Sequence, residues 1–221
     1  VLQNCTNELS DLDVIKIEIV NWNKKNYPAF ARLLKVVALN GQKNSDYLFI
    51  INKYGIKRTL AQNKNTAHFQ GIIESSKKNR LNLENLLTLT IDPSSAKDFD
   101  DALSIEKKST GYRIFVHIAD VSEFVLEGSR IDNEAMIRGN SYYFYEGVSH
   151  MLPESLSENF CSLKENQLRL ALTVTIDLGF KGEIINSKIH ETVIKVDKRF
   201  SYEEIEDIIN KNNENPFLKS L

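Results

Sequence analysis

The stretch Leu89–Ile105, LTIDPSSAKDFDDALSI, carries four aspartates within ten residues: Asp92, Asp98, Asp100 and Asp101. They stand among Ile91, Phe99, Ala102 and Leu103 rather than in an acidic tail. Carboxylates this close repel one another, and an ionised group leaves water only when paired or bound to a metal. Lys97 is the only base in the stretch, and one lysine does not neutralise four acids. Asp92 before Pro93 suits the start of a turn, and Asp98 suits the cap of a helix beginning near Phe99. Neither role, nor a plain solvated loop, explains the adjacent pair Asp100 and Asp101. The functional reading is a hard-cation site. Mg²⁺ takes oxygen ligands and keeps several waters while it binds carboxylates and a substrate phosphate. One or two such ions activate a water and stabilise the leaving oxygen in phosphodiester hydrolysis, and Mn²⁺ suits the same ligands. The sequence has no Cys/His cluster for zinc, and the spacing lacks the glycine and closing glutamate of a calcium loop.

Outward from this stretch, the pattern predicts a mixed α+β chain. LLTLTI (86–91) is a β-prone run leading into the aspartates. GYRIFVHIADVSEFV (111–125) follows as a strand with Tyr112, Ile114, Val116 and Ile118 on one face. LRLALTVTIDL (168–178) and EIINSKIHETVI (183–194) read as two more strands about a Gly179–Gly182 turn. SRIDNEAMIRGN (129–140) has helical spacing and stops at Gly139-Asn140. SYEEIEDIINKN (201–212) begins on a serine with an acidic first turn and carries Ile205, Ile208 and Ile209, so a helix is expected. Upstream, DVIKIEIV (13–20) alternates as a half-buried strand does, and AFARLLKVVAL (29–39) is a second strand across a turn at 21–28. Together they suit the tail of a small antiparallel barrel. Residues 40–45 are a turn or linker, and 46–88 are irregular and locally helical, with KKNR (77–80) suggesting a connector over a surface.

Composition excludes several classes. Hydrophobic residues make up 42% and charged residues 26%, ordinary values for a globular protein. No apolar run approaches the ~20 residues that span a bilayer, so no membrane partner and a cytoplasmic location are expected. Cys5 and Cys161 lie far apart and form neither a disulfide framework nor a thiolate metal site. The net charge of −2 conceals an asymmetry: 13 Lys+Arg against 7 Asp+Glu in residues 1–90, and the remaining 15 against 23 in 91–221. A basic leading part beside an acidic part fits a polyanion-binding module joined to a metal-binding one, and equally fits ordinary surface charge. The start at Val1 without methionine and the stop at NENPFLKSL read as a piece of a longer protein.

TIDPSSAKDFDDA (90–102) resembles the catalytic signature of the RNase II/RNase R family of 3′-to-5′ exoribonucleases, which share the RNB domain. VHIADVSEFV, RGNSYYF, MLPESLSENFCSL and NQLRLALTV follow in the family's order and at similar spacing. The resemblance is strong over 86–209 and weaker over 11–60, which is similar to the end of an OB-type cold-shock RNA-binding domain and its linker. It implies three parts: 1–45 from the OB domain, 46–85 as linker, and 86–221 as the first half of an RNB catalytic domain. It further implies a sequence-independent, Mg²⁺- or Mn²⁺-dependent enzyme, monomeric as a whole protein, that degrades single-stranded RNA to nucleoside 5′-monophosphates. Asp92, Asp98, Asp100 and Asp101 would surround the metal, with Asp98 and Asp100 catalytic and Asp100 indispensable for cleavage but not for RNA binding. Tyr143 would stack on a base near the 3′ end, and Tyr202 would line the channel and help select RNA. Tyr142 is one place off register and reads as packing. Without the family, Tyr142–Tyr145 would read as a buried aromatic cluster. An aromatic face accepts any base, which suits a sequence-independent enzyme. The sequence departs from the family pattern at Tyr145 and His150, where proline is common, and at Ser201, where threonine is common. The family's later half, with a second stacking aromatic, a catalytic arginine and an S1 RNA-binding domain, is not in this chain, so the chain alone is expected to be inactive or nearly so. The rival reading is a non-catalytic RNA-binding or regulatory protein with an RNB fold.

Among other residues, His117 and Cys161 read as structural. Arg138 and Arg169 either contact phosphate or brace the aspartate loop, Met151-Leu152-Pro153 is a packed turn, and Asp120 has no assigned role.

Overall fold

The computed structural model describes residues 2–3, 9–22, 29–57 and 66–210. Cys5, most of the turn expected at 21–28, and the chain beyond residue 210 lie outside these. The chain forms two units, Val1–Thr59 with Arg138–Met151, and Leu60–Ile137 with Leu152–Leu221.

In the first unit, β1 (Leu2–Gln3), β2 (Val14–Asn21) and β3 (Phe30–Ala38) form a sheet in the order β1-β3-β2, with β1 parallel and β2 antiparallel to β3. Asp13 fixes the start of β2, since its carboxylate accepts from the backbone N–H of Asn40 at 2.6 Å and of Ser10 at 2.9 Å. Helix α1 (Ser45–Lys53) lies against β3 and buries Ile51. The two long strands form where strands were expected and pair antiparallel; a closed barrel is not formed among the described residues.

The second unit begins with α2 (Thr66–Ser76), followed by β4 (Leu81–Asn82), β5 (Leu89–Asp92), β6 (Asp101–Lys108), β7 (Gly111–Ala119) and α3 (Arg130–Arg138). The chain then contributes a hairpin, β8 (Tyr142–Phe144) and β9 (Gly147–Ser149), to the first unit. It returns through a π-helical turn at Leu156–Phe160 into β10 (Leu168–Gly179), β11 (Ile184–Lys195), β12 (Lys198–Ser201) and α4 (Tyr202–Asn210). Seven strands form one mixed sheet in the order β12-β5-β6-β7-β10-β11-β4. Its centre is antiparallel, while β12 runs parallel to β5 and β4 parallel to β11. Gly111 has φ +147° opposite Gly179, and a Cβ there would sit 1.9 Å from the Leu178 carbonyl oxygen. Only glycine closes that contact.

Period-two alternation decides which side of each strand is buried. On β7 the buried side is Phe115, His117 and Ala119, whereas Tyr112 and Ile118 of the other side are exposed. Ala102, Ala119, Ala171, Ile194 and Val196 pack with Phe99 and Leu163 into one core. A second core joins Leu170 and Val193 of the sheet to Phe69 and Ile73 of α2 and to Phe124, Leu156, Phe160 and Cys161. Cys161 is the buried apolar residue expected, and burial pushes its thiol up to about 12.

Most of KKNR stays at the surface as expected, with Lys78 and Asn79 exposed, but its arginine does not. Lys77–Asn79 make a 3₁₀ turn, but Arg80 points inward and donates to Asp120 Oδ2 at 2.6 Å and Glu123 Oε2 at 2.7 Å. Asp120, unassigned from sequence, is therefore the buried partner of a base forty residues away.

A row of buried polar side chains crosses the sheet at His117. His117 Nε2 meets Ser104 Oγ at 3.0 Å and Nδ1 meets Thr173 Oγ1 at 2.8 Å, with Thr88 and Thr192 hydrogen-bonded beyond them. Burial lowers the imidazole from 6.5 to about 4. The folded protein thus holds His117 neutral while the unfolded chain takes up a proton below pH ~6.5. This contribution is full above pH ~6.5 and is lost as pH falls towards 4, by about 3 kcal/mol. Thermal unfolding between pH 4 and 7 is expected to show this slope, and His117→Gln to flatten it.

Candidate active site

β5 lies between β12 and β6, which places Asp92 at the end of one strand and Asp101 at the start of its antiparallel neighbour. Residues 93–100 join them. The Ala96 N–H donates to the Pro93 carbonyl at 3.0 Å, closing a tight turn after Asp92. Ser162 fixes the far side: its hydroxyl donates to the Lys97 carbonyl at 2.9 Å and accepts from the Phe99 N–H at 3.0 Å. The Leu163 N–H donates to the Phe99 carbonyl at 2.8 Å, and the Ala119 N–H to that of Asp100 at 2.9 Å. With Phe99 buried, these bonds set the direction of the three aspartates around it. No helix starts at Phe99, so Asp98 is not a helix cap; the turn after Asp92 is present.

Two arginines support this loop. Arg169 is buried and donates through Nε to the Ser162 carbonyl at 2.8 Å, holding the residue that holds the loop. Burial lowers its guanidinium to about 10. Of the two roles open from sequence, Arg169 therefore takes the bracing one. Arg199 of β12 reaches the other side. It donates to the carbonyls of Pro93 at 2.7 Å and Ser94 at 3.1 Å, and its guanidinium carbon lies 5.2 Å from the Phe99 ring centroid.

Burial and neighbouring carboxylates act on Asp92 and Asp100. Asp92 is half-buried, and its Oδ2 is buried without a hydrogen-bond partner. Burial first, and then the neighbouring Asp101 carboxylate, raise its pKa above the usual carboxylate value. Asp100 is raised by partial burial and then by Asp98 and Asp101, although its side chain opens to solvent. An all-oxygen donor set with a buried carboxylate oxygen, and repulsion that Arg199 and Thr90 offset only in part, fits a hard divalent cation. Among the described residues, no three His, Cys, Asp or Glu side chains converge closely enough to grip an ion as they stand. The structure brings the four acids to one loop but does not draw them together.

The tyrosines separate. Tyr202 opens α4 directly after Ser201, which is level with Asp92 in the parallel β12–β5 pair, and it is 56% exposed. Tyr143 is on the β8–β9 hairpin of the first unit and is 63% exposed. The buried aromatic cluster expected without the family is not formed. Tyr145 is fully exposed, and Phe144 is the residue that packs, edge-on to Tyr47 at 5.0 Å and stacked with Tyr142 at 6.4 Å. Arg138 donates to the carbonyls of Lys57 at 2.9 Å and His150 at 3.2 Å, so these bonds brace the first unit and not the aspartate loop. Leu152 and Pro153 are buried, as a packed turn requires.

Sequence reasoning missed Arg199, Ser162 and Arg80. Arg199 lies 106 residues from Pro93, and no local pattern marks so distant a partner.

The sequence pattern of the RNB domain matches residues 80–219. Ribonuclease R of Aquifex aeolicus (strain VF5) is 37% identical over 201 residues, covering 89% of this chain and 28% of that protein. The apo form of Mycoplasma genitalium RNase R superposes with a TM-score of 0.84 at 27% identity, covering all of this chain and 36% of that one. The same relative in complex with ribose-methylated single-stranded RNA gives a TM-score of 0.84 at 26% identity, with the same coverage. The chain thus spans about a third of the length of these relatives. The seven-stranded mixed sheet, the match over residues 80–219 and the similarity to ribonuclease R along most of its length show that the chain belongs to the RNB-domain family.

Proposed function

We propose that this chain carries the aspartate loop of a metal-dependent, sequence-independent 3′-to-5′ exoribonuclease that releases nucleoside 5′-monophosphates from single-stranded RNA. The observation that carries the reading is the loop itself: four carboxylates on one braced segment, two of them raised by burial and mutual repulsion. Asp92, Asp98, Asp100 and Asp101 would hold one or two Mg²⁺ ions, or Mn²⁺. A bound ion supplies Lewis-acid activation and neutralises charge at the scissile phosphate. Asp98 and Asp100, on either side of the buried Phe99 anchor, would be the catalytic pair among the four. Tyr143 and Tyr202 offer exposed aromatic faces that stack on bases without reading them. A relative sharing this fold at 26% identity has been seen with single-stranded RNA, which supports the substrate class.

The division into an OB-type part (1–45), a linker (46–85) and the first half of the catalytic domain (86–221) belongs to the same proposal. So do a cytoplasmic location and a monomeric whole protein; among the described residues no helix is long and apolar enough to cross a membrane. The rival is a non-cleaving RNA-binding protein of this fold, and retention of all four acids favours the enzyme. Catalysis belongs to a protein that also carries the family's remaining length, and the chain by itself is expected to cleave weakly or not at all. The test is a full-length protein containing this chain, given 5′-labelled single-stranded RNA with and without Mg²⁺. Stepwise shortening from the 3′ end with nucleoside 5′-monophosphate release is expected only with metal. Intact RNA under both conditions would sink the enzyme reading in favour of the rival.

A further inference from the structure

Arg199 touches both arms of the aspartate loop with one side chain. Its two hydrogen bonds, both donated by Nη2, end on the carbonyls that follow Asp92, those of Pro93 and Ser94, and its guanidinium carbon lies over the ring of Phe99, between Asp98 and Asp100, at 5.2 Å from the centroid. The Pro93 carbonyl also receives the Ala96 N–H, so the guanidinium closes on an already formed turn. Its own backbone N–H donates to Glu165 Oε2 at 2.9 Å, and β12 is hydrogen-bonded to β5 along Lys198–Ser201, so its base is fixed. One guanidinium nitrogen, Nη2, donates to both carbonyls while the delocalised cation lies over the Phe99 ring, and the compact ammonium of a lysine does not make both contacts at once. Like charges on the two arms push them apart. Something must set their separation, and Arg199 is the group that spans it.

We infer that Arg199 is a positioning residue, a clasp that holds Asp92 in register with Asp98, Asp100 and Asp101 so that the loop accepts a divalent cation. This rests on the metal-site reading above. A rival role, a simple counter-charge to the acids, has the opposite consequence. Removing a counter-charge strengthens cation binding, whereas removing a clasp weakens it.

The test uses the chain with Arg199→Gln and Arg199→Lys, titrated calorimetrically with Mn²⁺ and followed by amide hydrogen exchange without metal. Thermal melts confirm that both variants fold. Loss of the clasp is expected to weaken Mn²⁺ binding about tenfold in both variants, with lysine failing to rescue. Exchange is expected to rise at Ala96 and Phe99, while the β10–β11 amides stay unchanged. Binding as tight as wild type or tighter in Arg199→Gln would overturn the inference. So would unchanged exchange at Ala96 and Phe99, or a uniform rise along the sheet, which marks general destabilisation. A wild-type chain that binds no Mn²⁺ would instead remove the metal-site reading, and the exchange result would still decide whether Arg199 holds the loop.

Discussion

In a full-length protein carrying this chain, Asp100→Asn is expected to reduce RNA cleavage by on the order of 10³-fold, the scale seen when one preorganised transition-state contact is lost. RNA affinity is expected to stay within about threefold, because the stacking faces proposed at Tyr143 and Tyr202 are untouched. The substitution removes one negative charge and little volume. Asp100 is held through its backbone carbonyl, by the Ala119 N–H, so the loop keeps its path when the side chain becomes an amide. The carboxyl is already raised by burial and by Asp98 and Asp101, so losing its charge relieves repulsion and does not harm the fold. Loss of cleavage with a melting temperature equal to or above wild type would separate a chemical role from a structural one. Cleavage within tenfold of wild type would contradict the assignment of Asp100.

Asp120→Ala should have the largest effect on stability. Arg80 and Asp120 each leave only 3% of their side chains exposed and meet at 2.6 Å. Asp120 also accepts from the Ser122 hydroxyl at 2.6 Å. Burial opposes the arginine's charge, and its hydrogen bonds to Asp120 and Glu123 outweigh that cost and raise its pKa. Breaking a buried pair leaves the survivor uncompensated, at a cost of 3–5 kcal/mol. Glu123 still reaches Arg80 at 2.7 Å, so about 3 kcal/mol is expected. Near 2–4 °C per kcal/mol for a chain of this size, the melting temperature should fall by roughly 6–12 °C. The double variant Arg80→Met/Asp120→Leu removes both charges and should recover part of the loss, which a double-mutant cycle would read directly.

Alternation and capping made much of the fold legible. The helices at 129–140 and 201–212 and the strands at 13–20, 29–39, 168–178 and 183–194 appear in the structure as α3, α4, β2, β3, β10 and β11, shifted by a residue or two. The short strands β4, β8, β9 and β12 were not legible, because two to four residues carry no usable period. Strand β6 was hidden by its own chemistry, since it starts on Asp101 inside the acidic stretch that drew a metal reading. On β7 the alternation was visible, but Tyr112, Ile114, Val116 and Ile118 look as apolar as the side that is buried. The polarity of His117 disguised the inward face, because its partners Ser104 and Thr173 come from other strands. The same limit applies to the site. Its acids lie close together in sequence and could be read; of its supports, Arg169 could be read only as one of two open roles, and Ser162 and Arg199, from a distant turn and a distant strand, could not.

The most direct measurement is a calorimetric titration of Mg²⁺, with Mn²⁺ as a second cation, into the chain at pH 7. A single loop holding Asp92, Asp98, Asp100 and Asp101 as one cation site should give saturable binding that Asp92→Asn/Asp100→Asn abolishes without lowering the melting temperature. Non-saturable heats in the wild-type chain, or binding that survives the double substitution, would contradict a shared metal site on this loop.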